Sequence, residues 1–312
     1  MTDIPIIFMG TPEFAVTSLK TLLDKGYNVK AVVTTPDKPA GRGKNIQFSD
    51  VKKFALEHNL PILQPEKLKS AEFLAQLKEI NADLFVVVAF RMLPKEVWAM
   101  PKRGTINLHA ALLPDYRGAA PINHAIINGE TETGITTFYI DEQIDTGKII
   151  MQVKCPIEPD DNIGTLYDKL MFIGAEAVCK TVDIIAEGNV NAVEQDSIRT
   201  NGLHPAPKIT KEFCQINWNA KSVDIHNLIR GLSPYPAAWC YLKDEITAKI
   251  FTSSYSVEKH DLNAGAFVSD NKSFLKVATQ DGFVSILELQ MQGKKRMAIK
   301  DFLNGFKFNT DK

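Results

Sequence analysis

PIIFMGTPEFAVTSLKTLLDKGYNVKAVVT, residues 5–34, is the stretch that decides the fold. Its two ends are apolar runs, Pro5–Met9 and Val29–Thr34, and such runs predict buried β-strands. Between the runs, apolar side chains such as Leu19 and Leu22 recur at the spacing of one helix face. The stretch therefore predicts a strand, a helix and a second strand parallel to the first.

The same alternation continues along the chain. Leu84–Ala89 and Thr105–Leu108 are further strand candidates. The periodicity over Ala71–Ile80 predicts a helix, and that over Asp161–Gly188 predicts a long amphipathic helix. Alternating strands and helices predict a mostly parallel sheet covered by helices, which is the α/β class. In such sheets ligands bind beyond the carboxyl ends of the strands, so a site is expected there.

The length of the chain and the change in its pattern of predicted elements along the sequence predict two domains, with one large domain as the alternative. The chain has 312 residues, about twice the usual domain size. Gly202–Pro207 is rich in proline and is expected to be an extended linker. After it come one short helix, Asn219–Gly231, and several short strand candidates, which together predict a small β-barrel. We expect a first domain at residues 1–190, a linker at 191–207 and a second domain at 208–312.

Composition excludes several classes of protein. Hydrophobic residues make up 45% and charged residues 23% of the chain, which is typical of a globular protein and not of a disordered one. The first residues lack a signal-peptide pattern, and the longest apolar run, Leu84–Phe90, is too short to span a bilayer, so we expect a soluble, cytoplasmic protein. The cysteines are far apart, so reduced structural thiols and no metal site are expected.

Phe8–Val16 lies where the first predicted strand meets the first predicted helix. A tight turn with free N–H groups is suited to hold an anion, and a purely structural turn is the alternative. The pattern G-x-G-x-x-G is absent from this turn, which disfavours a dinucleotide as the ligand.

Asn107 and His109 lie two residues apart at the end of a predicted strand, so their side chains point to the same side. Together they are suited to donate hydrogen bonds to the oxygen that becomes negative when an amine attacks a carbonyl carbon. Asp145-Thr146-Gly147 stands between two further strand candidates, where a hairpin turn is the alternative. If Asp145 lies beside His109, its carboxylate orients the imidazole and raises the pKa of the imidazole. Taken alone, a structural role is the commoner one for such residues.

Two segments carry an excess of positive charge in a chain whose net charge is -1. Lys38, Arg42 and Lys44 lie in a loop rich in glycine and proline that contains one acid. The chain end, residues 293–312, holds six basic residues and two acids. Such segments are suited to contact phosphates, and solvated loops with scattered charge are the alternative. Any nucleic-acid site must therefore be local.

Together, these segments resemble the methionyl-tRNA formyltransferase family, in order and along nearly the whole chain. The matching stretches are Phe8–Val16, Pro36–Lys44, Asn107-Leu108-His109 with Leu112-Leu113-Pro114 and Arg117–Pro121, Asp145-Thr146-Gly147, Ile229–Pro234 and Asp301–Gly305. The Asn, His and Asp trio is shared by every formyltetrahydrofolate-dependent transferase and hydrolase. The basic loop and the second domain are therefore the features that point to tRNA.

The resemblance implies a Rossmann-like formyltransferase domain followed by a small OB-like tRNA-binding domain. It implies transfer of a formyl group from 10-formyltetrahydrofolate to the α-amino group of methionine on initiator methionyl-tRNA, without a metal. Asn107, His109 and Asp145 would be the catalytic residues. Folate would contact Phe90, Arg91, Ala111, Leu112, Leu113 and Pro114, and the tRNA would contact Lys38, Arg42, Lys44, Lys294, Lys295 and Arg296.

Two other functions remain open on the sequence. A formyltransferase that acts on a small amine, such as a nucleotide sugar or glycinamide ribonucleotide, needs neither the basic loop nor the basic chain end. A folate- or tRNA-binding module without catalysis is the second alternative, and the intact trio of Asn107, His109 and Asp145 argues against it. We expect a monomer.

Overall fold

The structure is a computed structural model that describes residues 3–40, 45–198, 202–243 and 245–308. Up to residue 187 the elements are β1 (Ile6–Gly10), α1 (Glu13–Asp24), β2 (Val29–Val33), β3 (Lys38–Ala40), β4 (Asn45–Gln47), α2 (Asp50–Glu57), β5 (Ile62–Leu63), α3 (Ala71–Ile80), β6 (Leu84–Val88), α4 (Lys95–Trp98), β7 (Thr105–His109), α5 (Pro121–Ile127), β8 (Glu132–Tyr139), β9 (Ile149–Pro156) and α6 (Ile163–Glu187). The later elements are a 3-10 turn (Gln195–Ser197), α7 (Ser222–Leu232), β10 (Ala238–Lys243), β11 (Ile246–Val257), β12 (Phe267–Ser269), β13 (Leu275–Ala278), β14 (Gly282–Met291), β15 (Met297–Ala298) and α8 (Ile299–Gly305).

The chain forms two compact units, and each unit is built from more than one segment. The first comprises the described residues of Met1–Gly118, Gly134–Cys155 and Asp168–Pro205. The second comprises those of Ala119–Thr133, Pro156–Tyr167 and Ala206–Lys312. Two segments that precede residue 168 thus belong to the second unit. The expected division into domains at residues 190 and 207 stays a prediction.

A seven-stranded sheet in the order β5-β2-β1-β6-β7-β8-β9 forms the centre of the first unit. The strands from β5 to β7 run parallel, and β8 pairs antiparallel with β7. This arrangement confirms the predicted Rossmann-like α/β class with a mostly parallel sheet. The strand order reverses between β1 and β6, and a crevice forms beyond the carboxyl ends of the strands at such a point. The ends of β1, β6 and β7 therefore mark the expected site.

Local sequence explains how the helices of this unit begin and pack. An added Cβ at Gly10 would lie 2.5 Å from the Cβ of Ala15, so glycine is needed where α1 meets the end of β1. The Ser70 side chain caps α3, and Asn81 ends it in the left-handed conformation with a φ of 50°. No helix among the described residues is both long enough and apolar enough to cross a membrane.

A curled antiparallel sheet in the order β10-β11-β14-β13-β12 forms the second unit, and β15 also pairs with β14. Register shifts between Ile250 and Ser253 bend β11. α7 and α8 contribute Ile229, Leu232 and Phe302 to the core cluster that the strands of this sheet share. The small antiparallel β domain that the sequence predicts here is confirmed.

The expected loop at residues 36–44 contains a strand. Lys38–Ala40 pairs with Asn45–Gln47 in a two-stranded antiparallel sheet. Glycine and proline make up four of the nine residues and are depleted in strands, so the sequence gives no strand signal there. Residues 41–44, which include Arg42 and Lys44, lie outside the described residues.

The expected linker belongs to the first unit as far as Pro205 and is hydrogen-bonded within that unit. Val193 pairs with Ile149, and the His204 carbonyl accepts a hydrogen bond from the Tyr116 N–H at 2.8 Å. Apart from the 3-10 turn at Gln195–Ser197, the described part of this segment forms no helix, but its backbone groups still require partners. The described residues of this segment up to Pro205 are therefore an integral part of the first unit.

The four cysteines are buried free thiols. Burial raises the pKa of Cys179 to about 11 and the pKa of Cys240 to about 12. Both thiols therefore stay protonated and unreactive at neutral pH.

Candidate active site

β7 carries an amide and an imidazole near its carboxyl end. Asn107 lies opposite Phe138 and His109 lies opposite Thr136 on the neighbouring strand β8, so the two side chains share one face of the sheet. Asn107 is half-buried, and the structure records no hydrogen bond between its side-chain amide and the described residues. His109 is only 6% exposed. The strand thus presents an amide that has no hydrogen-bond partner among the described residues beside a buried imidazole.

The protonation state of His109 follows from its surroundings. The Tyr116 carbonyl oxygen lies 2.8 Å from Nε2 of His109. Because a carbonyl oxygen only accepts, Nε2 carries a proton and donates this bond. Burial lowers the pKa of His109 by more than the Asp145 carboxylate and the Tyr116 carbonyl raise it. The ring is therefore uncharged at neutral pH, and Nδ1 is its unprotonated nitrogen.

Asp145 lies next to this nitrogen. Its Oδ2 atom is 3.7 Å from Nδ1 of His109 and accepts a hydrogen bond from the Gly118 N–H at 3.0 Å. A separation of 3.7 Å is too long for a hydrogen bond, and Nδ1 carries no proton while the ring is uncharged. As expected, the Asp145 carboxylate raises the pKa of His109, but the loss of hydration on burial outweighs this effect, so the pKa of His109 is lowered overall. A protonated ring would gain the carboxylate as its partner.

The turn that carries Asp145 has an unusual backbone. Asp145 has a φ of 57°, in the left-handed region that few residues other than glycine adopt. The Thr146 hydroxyl donates to the Asp141 carboxylate at 2.7 Å, which steadies the turn. At Gly147, an added Cβ would lie 1.6 Å from the Tyr139 carbonyl oxygen. The segment is thus a connection between β8 and β9 that also holds a carboxylate beside the imidazole.

We expect Gly147→Ala to displace this turn and to destabilise the protein by about 1–3 kcal/mol, the usual cost of overpacking. The new methyl group has no room beside the Tyr139 carbonyl, so the turn must move. Chemical denaturation measures the free energy of unfolding. Gly305→Ala is the matched control, because an added Cβ there meets no heavy atom within 4 Å. Equal stability of both variants would show that the turn accommodates a side chain.

Residues 111–114, which the resemblance assigns to folate, are held against β8. The Thr136 hydroxyl donates to the Ala111 carbonyl at 2.6 Å and accepts from the Leu113 N–H at 3.0 Å. Three of the four side chains are buried, and Leu112 alone is half-buried. A ligand bound here would thus contact the backbone or Leu112.

Phe90 and Arg91 follow β6, at the end of the sheet where ligands bind in this fold class. The Arg91 guanidinium donates to the carbonyl oxygens of Pro65 at 2.7 Å and Glu66 at 3.2 Å. Burial lowers the pKa of Arg91. The guanidinium is thus hydrogen-bonded to the backbone that follows β5. A cavity of about 510 Å³ beside that backbone is lined by residues between 62 and 76 and does not include Asn107, His109 or Asp145.

In the first basic segment, the one acid is neutralised by a lysine from α2. Asp37 pairs with Lys52, and the ammonium group lowers the pKa of the Asp37 carboxyl. Lys38 is exposed. The structure therefore leaves the positive charge of Lys38 uncompensated by its neighbour, whereas Arg42 and Lys44 lie outside the described residues.

In the second basic segment, the three cations differ in how far their charge is compensated. Lys294, Lys295 and Arg296 are exposed between β14 and β15. Arg296 pairs with Glu288 and lies 4.3 Å from the centre of the Phe251 ring. The described part of the chain supplies no acidic partner to the two lysines. The lysines are therefore better suited than Arg296 to bind a phosphate.

Gln195 contacts the site although the sequence does not reveal it. It lies in the segment expected to be a linker, yet it is only 2% exposed. Its side chain bonds to the Asp145 turn and to Arg117. A lone glutamine in a segment without periodicity gives no sequence indication of a functional role. Its partner Arg117 does give one, because Arg117 lies within a motif that resembles the family.

Comparison with known proteins covers nearly the whole chain. Residues 4–182 match the family model Formyl transferase, and residues 208–307 match the model Formyl transferase, C-terminal domain. The methionyl-tRNA formyltransferase of Bacteroides fragilis is 54% identical over 309 residues, which cover 97% of this chain and 95% of the relative. That of Flavobacterium johnsoniae is 52% identical and covers 100% of this chain and 99% of the relative.

Solved structures share the fold. WlaRD, a sugar 3N-formyl transferase crystallised in the presence of dTDP and 5-N-formyl-THF, is 25% identical, with a TM-score of 0.67 over 94% of this chain and 99% of that chain. An N-formyltransferase from Helicobacter canadensis is 23% identical, with a TM-score of 0.66 over 94% of this chain and 100% of that chain. Family models and curated relatives thus agree along nearly the full length, and the chain belongs to the formyl transferase family.

Proposed function

We propose that the protein transfers the formyl group of 10-formyltetrahydrofolate to the α-amino group of methionine on initiator methionyl-tRNA, for translation initiation in the cytoplasm. The observation that carries the proposal is the buried His109 with Asp145 3.7 Å away, at the carboxyl end of β7 beside Asn107. Membership of the formyl transferase family and likeness to full-length methionyl-tRNA formyltransferases support the same reaction. A monomeric state stays a prediction.

The reaction forms one bond and breaks one bond at the formyl carbon. The amine nitrogen bonds to this carbon, the bond from the carbon to N10 of the folate breaks, and one proton passes from the amine to N10. An uncharged His109 is suited to take up that proton on Nδ1, because Nε2 already donates to Tyr116. Asp145 then lies 3.7 Å from the protonated ring and stabilises its charge.

Asn107 is suited to the oxygen of the formyl group. Its amide carries two hydrogen atoms, and no acceptor is recorded for them among the described residues. A preorganised donor stabilises the oxygen as it becomes negative, an effect worth on the order of 100- to 1000-fold in rate. While His109 is uncharged it has no free N–H for this oxygen, because its one N–H donates to the Tyr116 carbonyl.

The two segments that flank Asn107 and His109 in sequence would contact the folate. Phe90 and Leu112 are half-buried, so each retains side-chain surface for a ligand. Ala111, Leu113 and Pro114 are buried and would act by shaping the loop. Arg91 is bonded to backbone carbonyls and would act by fixing the segment after β6.

A formyl-transfer assay separates this function from its alternatives. The acceptors are initiator methionyl-tRNA, a dTDP-amino sugar and glycinamide ribonucleotide, each offered with 10-formyltetrahydrofolate. We expect kcat/KM for the tRNA to be well above that for either small amine. Preferred transfer to a small amine contradicts the proposed acceptor. Absence of transfer to all three acceptors would favour a binding module.

The salt dependence of tRNA binding tests the two basic segments. We expect Arg42→Ala and Lys294→Ala each to weaken binding and to reduce the slope of log affinity against log salt by about one unit, because each loses one phosphate contact. Lys78→Ala is the matched control, since Lys78 is an exposed lysine on α3, outside both segments. Arg296→Ala should change the slope less, because Glu288 already compensates its charge.

Fluorescence titration of the tRNA at several salt concentrations measures affinity and slope together. Folate binding should stay unchanged in Arg42→Ala. If Arg42→Ala and Lys294→Ala match the Lys78→Ala control in both quantities, neither residue belongs to the tRNA site, and a small-amine acceptor becomes the better assignment.

A further inference from the structure

The buried side chain of Gln195 makes four hydrogen bonds. Its Nε2 donates to the carbonyl oxygens of Asp145 at 2.9 Å and Gly147 at 2.8 Å. Its Oε1 accepts from Nε of Arg117 at 3.0 Å and from Nη2 of Arg117 at 2.6 Å. The orientation of the amide is unambiguous, because the two carbonyl groups only accept and the guanidinium only donates. Gln195 therefore ties the Asp145 turn to Arg117.

These bonds close a ring around Asp145. Gly118 follows Arg117 in the chain and donates its N–H to Oδ2 of Asp145 at 3.0 Å. The Gly118 N–H thus bonds to the carboxylate of Asp145, and Gln195 bonds to its backbone carbonyl. Arg117 in turn fixes the side chain of Gln195. Two fixed points on one residue determine where its backbone lies and where its carboxylate points.

The ring also holds a backbone conformation that needs support. Asp145 has a φ of 57°, and residues other than glycine keep such a conformation only where the surrounding structure holds it. Without the bonds from Gln195, the turn is expected to relax toward a commoner conformation. The carboxylate would then leave its position 3.7 Å from Nδ1 of His109.

We propose that Gln195 is a positioning residue that, together with Arg117, holds the Asp145 carboxylate beside His109. The inference rests on the proposed function for the roles of Asp145 and His109, and it adds the group that sets the distance between them. Gln195 acts through the backbone of the turn, so its role requires no contact with folate or tRNA.

Substitutions at Gln195 separate its hydrogen bonds to the Asp145 turn from its hydrogen bonds to Arg117. Gln195→Met keeps the size of the side chain and removes its amide. Gln195→Glu keeps the acceptor for Arg117 but, when ionised, faces two carbonyl oxygens without a proton to donate. We expect kcat to fall by about 10- to 100-fold in both variants, because a misplacement of about 1 Å at a reacting group costs up to about 100-fold in rate, with little change in KM. Ser197→Ala, exposed in the same 3-10 turn, is the control and should keep wild-type turnover.

Titration of the His109 imidazole by NMR reports the position of the carboxylate without any substrate. The charge of Asp145 raises the pKa of His109, so a carboxylate that moves away lets this pKa fall below its wild-type value. We expect the fall in Gln195→Met, whose side chain adds no charge, and no change in Ser197→Ala. The signal of His109 is identified by its loss in His109→Gln.

Two results would overturn the proposal. One is wild-type kcat in Gln195→Met, shown to be folded by circular dichroism. The other is a reduced kcat with an unchanged pKa of His109, because Gln195 would then act on the fold alone. If Gln195→Met does not fold, the kcat of Gln195→Glu decides in its place. If the wild type transfers no formyl group, the proposed function fails, whereas the NMR titration still tests the positioning.

Discussion

His109→Gln is expected to reduce kcat by at least about 100-fold while the protein stays folded. Glutamine fills a similar space, and its amide can replace the donor that Nε2 of His109 offers to the Tyr116 carbonyl at 2.8 Å. It has no nitrogen that takes up a proton, so the proton of the attacking amine loses its nearby base. Single-turnover formyl transfer to initiator methionyl-tRNA measures the effect.

A second histidine provides the control for this substitution. His226 lies in α7, and burial lowers its pKa as well. His226→Gln should keep wild-type turnover at saturating tRNA, because His226 belongs to the second unit and not to the β7 site. If His109→Gln is folded, binds folate and turns over like the wild type, another group accepts the proton and the role assigned to His109 is wrong.

Asp145→Asn should also lower kcat by at least about 100-fold, because it removes the charge that stabilises a protonated imidazole in a buried site. Asparagine keeps the shape of the side chain and an oxygen that accepts from the Gly118 N–H. The Asp145 charge raises the pKa of His109 and so partly offsets the effect of burial. Without this charge, the pKa of His109 should fall below its wild-type value. Transfer kinetics measure the first effect, and NMR titration measures the second.

Asp141→Asn is the matched control for Asp145→Asn. It removes a carboxylate from the same turn but keeps an oxygen that accepts from the Thr146 hydroxyl. We expect a much smaller loss of kcat in this variant. Equal losses in both variants would mean that the turn needs its negative charges for reasons unrelated to His109. Wild-type kcat in Asp145→Asn would exclude the carboxylate from the reaction.

Secondary structure was predictable where local pattern and burial agree. α3 has the predicted bounds, Ala71–Ile80, because a serine cap begins it and a left-handed asparagine ends it. β1 lies within one residue of its prediction, because its apolar run is buried in a parallel sheet. β3 was not predictable, since its pairing with β4 depends on a partner that no local pattern reveals.

The geometry of the site depends on contacts between residues that are far apart in sequence. Motifs identified Asn107, His109 and Asp145 as candidates, but only the fold determines the 3.7 Å separation of His109 and Asp145. The direction of the pKa shift of His109 depends on its burial, which strand alternation does not predict. Gln195 lies 50 residues beyond Asp145 in a segment without periodicity, so its contact was invisible in the sequence.

The interleaved path of the second unit restricts how genes of this family can recombine. Within that unit, the Asn123 amide in α5 donates to the Gly231 carbonyl in α7 at 2.8 Å, and the Arg230 guanidinium donates to the Asp161 carbonyl at 3.0 Å. An added Cβ at Gly231 would lie 2.6 Å from Ile127, so these surfaces fit closely. A crossover between two parental genes in the region of residue 200 would join α5 and residues 156–167 of one parent to α7 of the other. Functional chimeras should therefore inherit all three segments from the same parent.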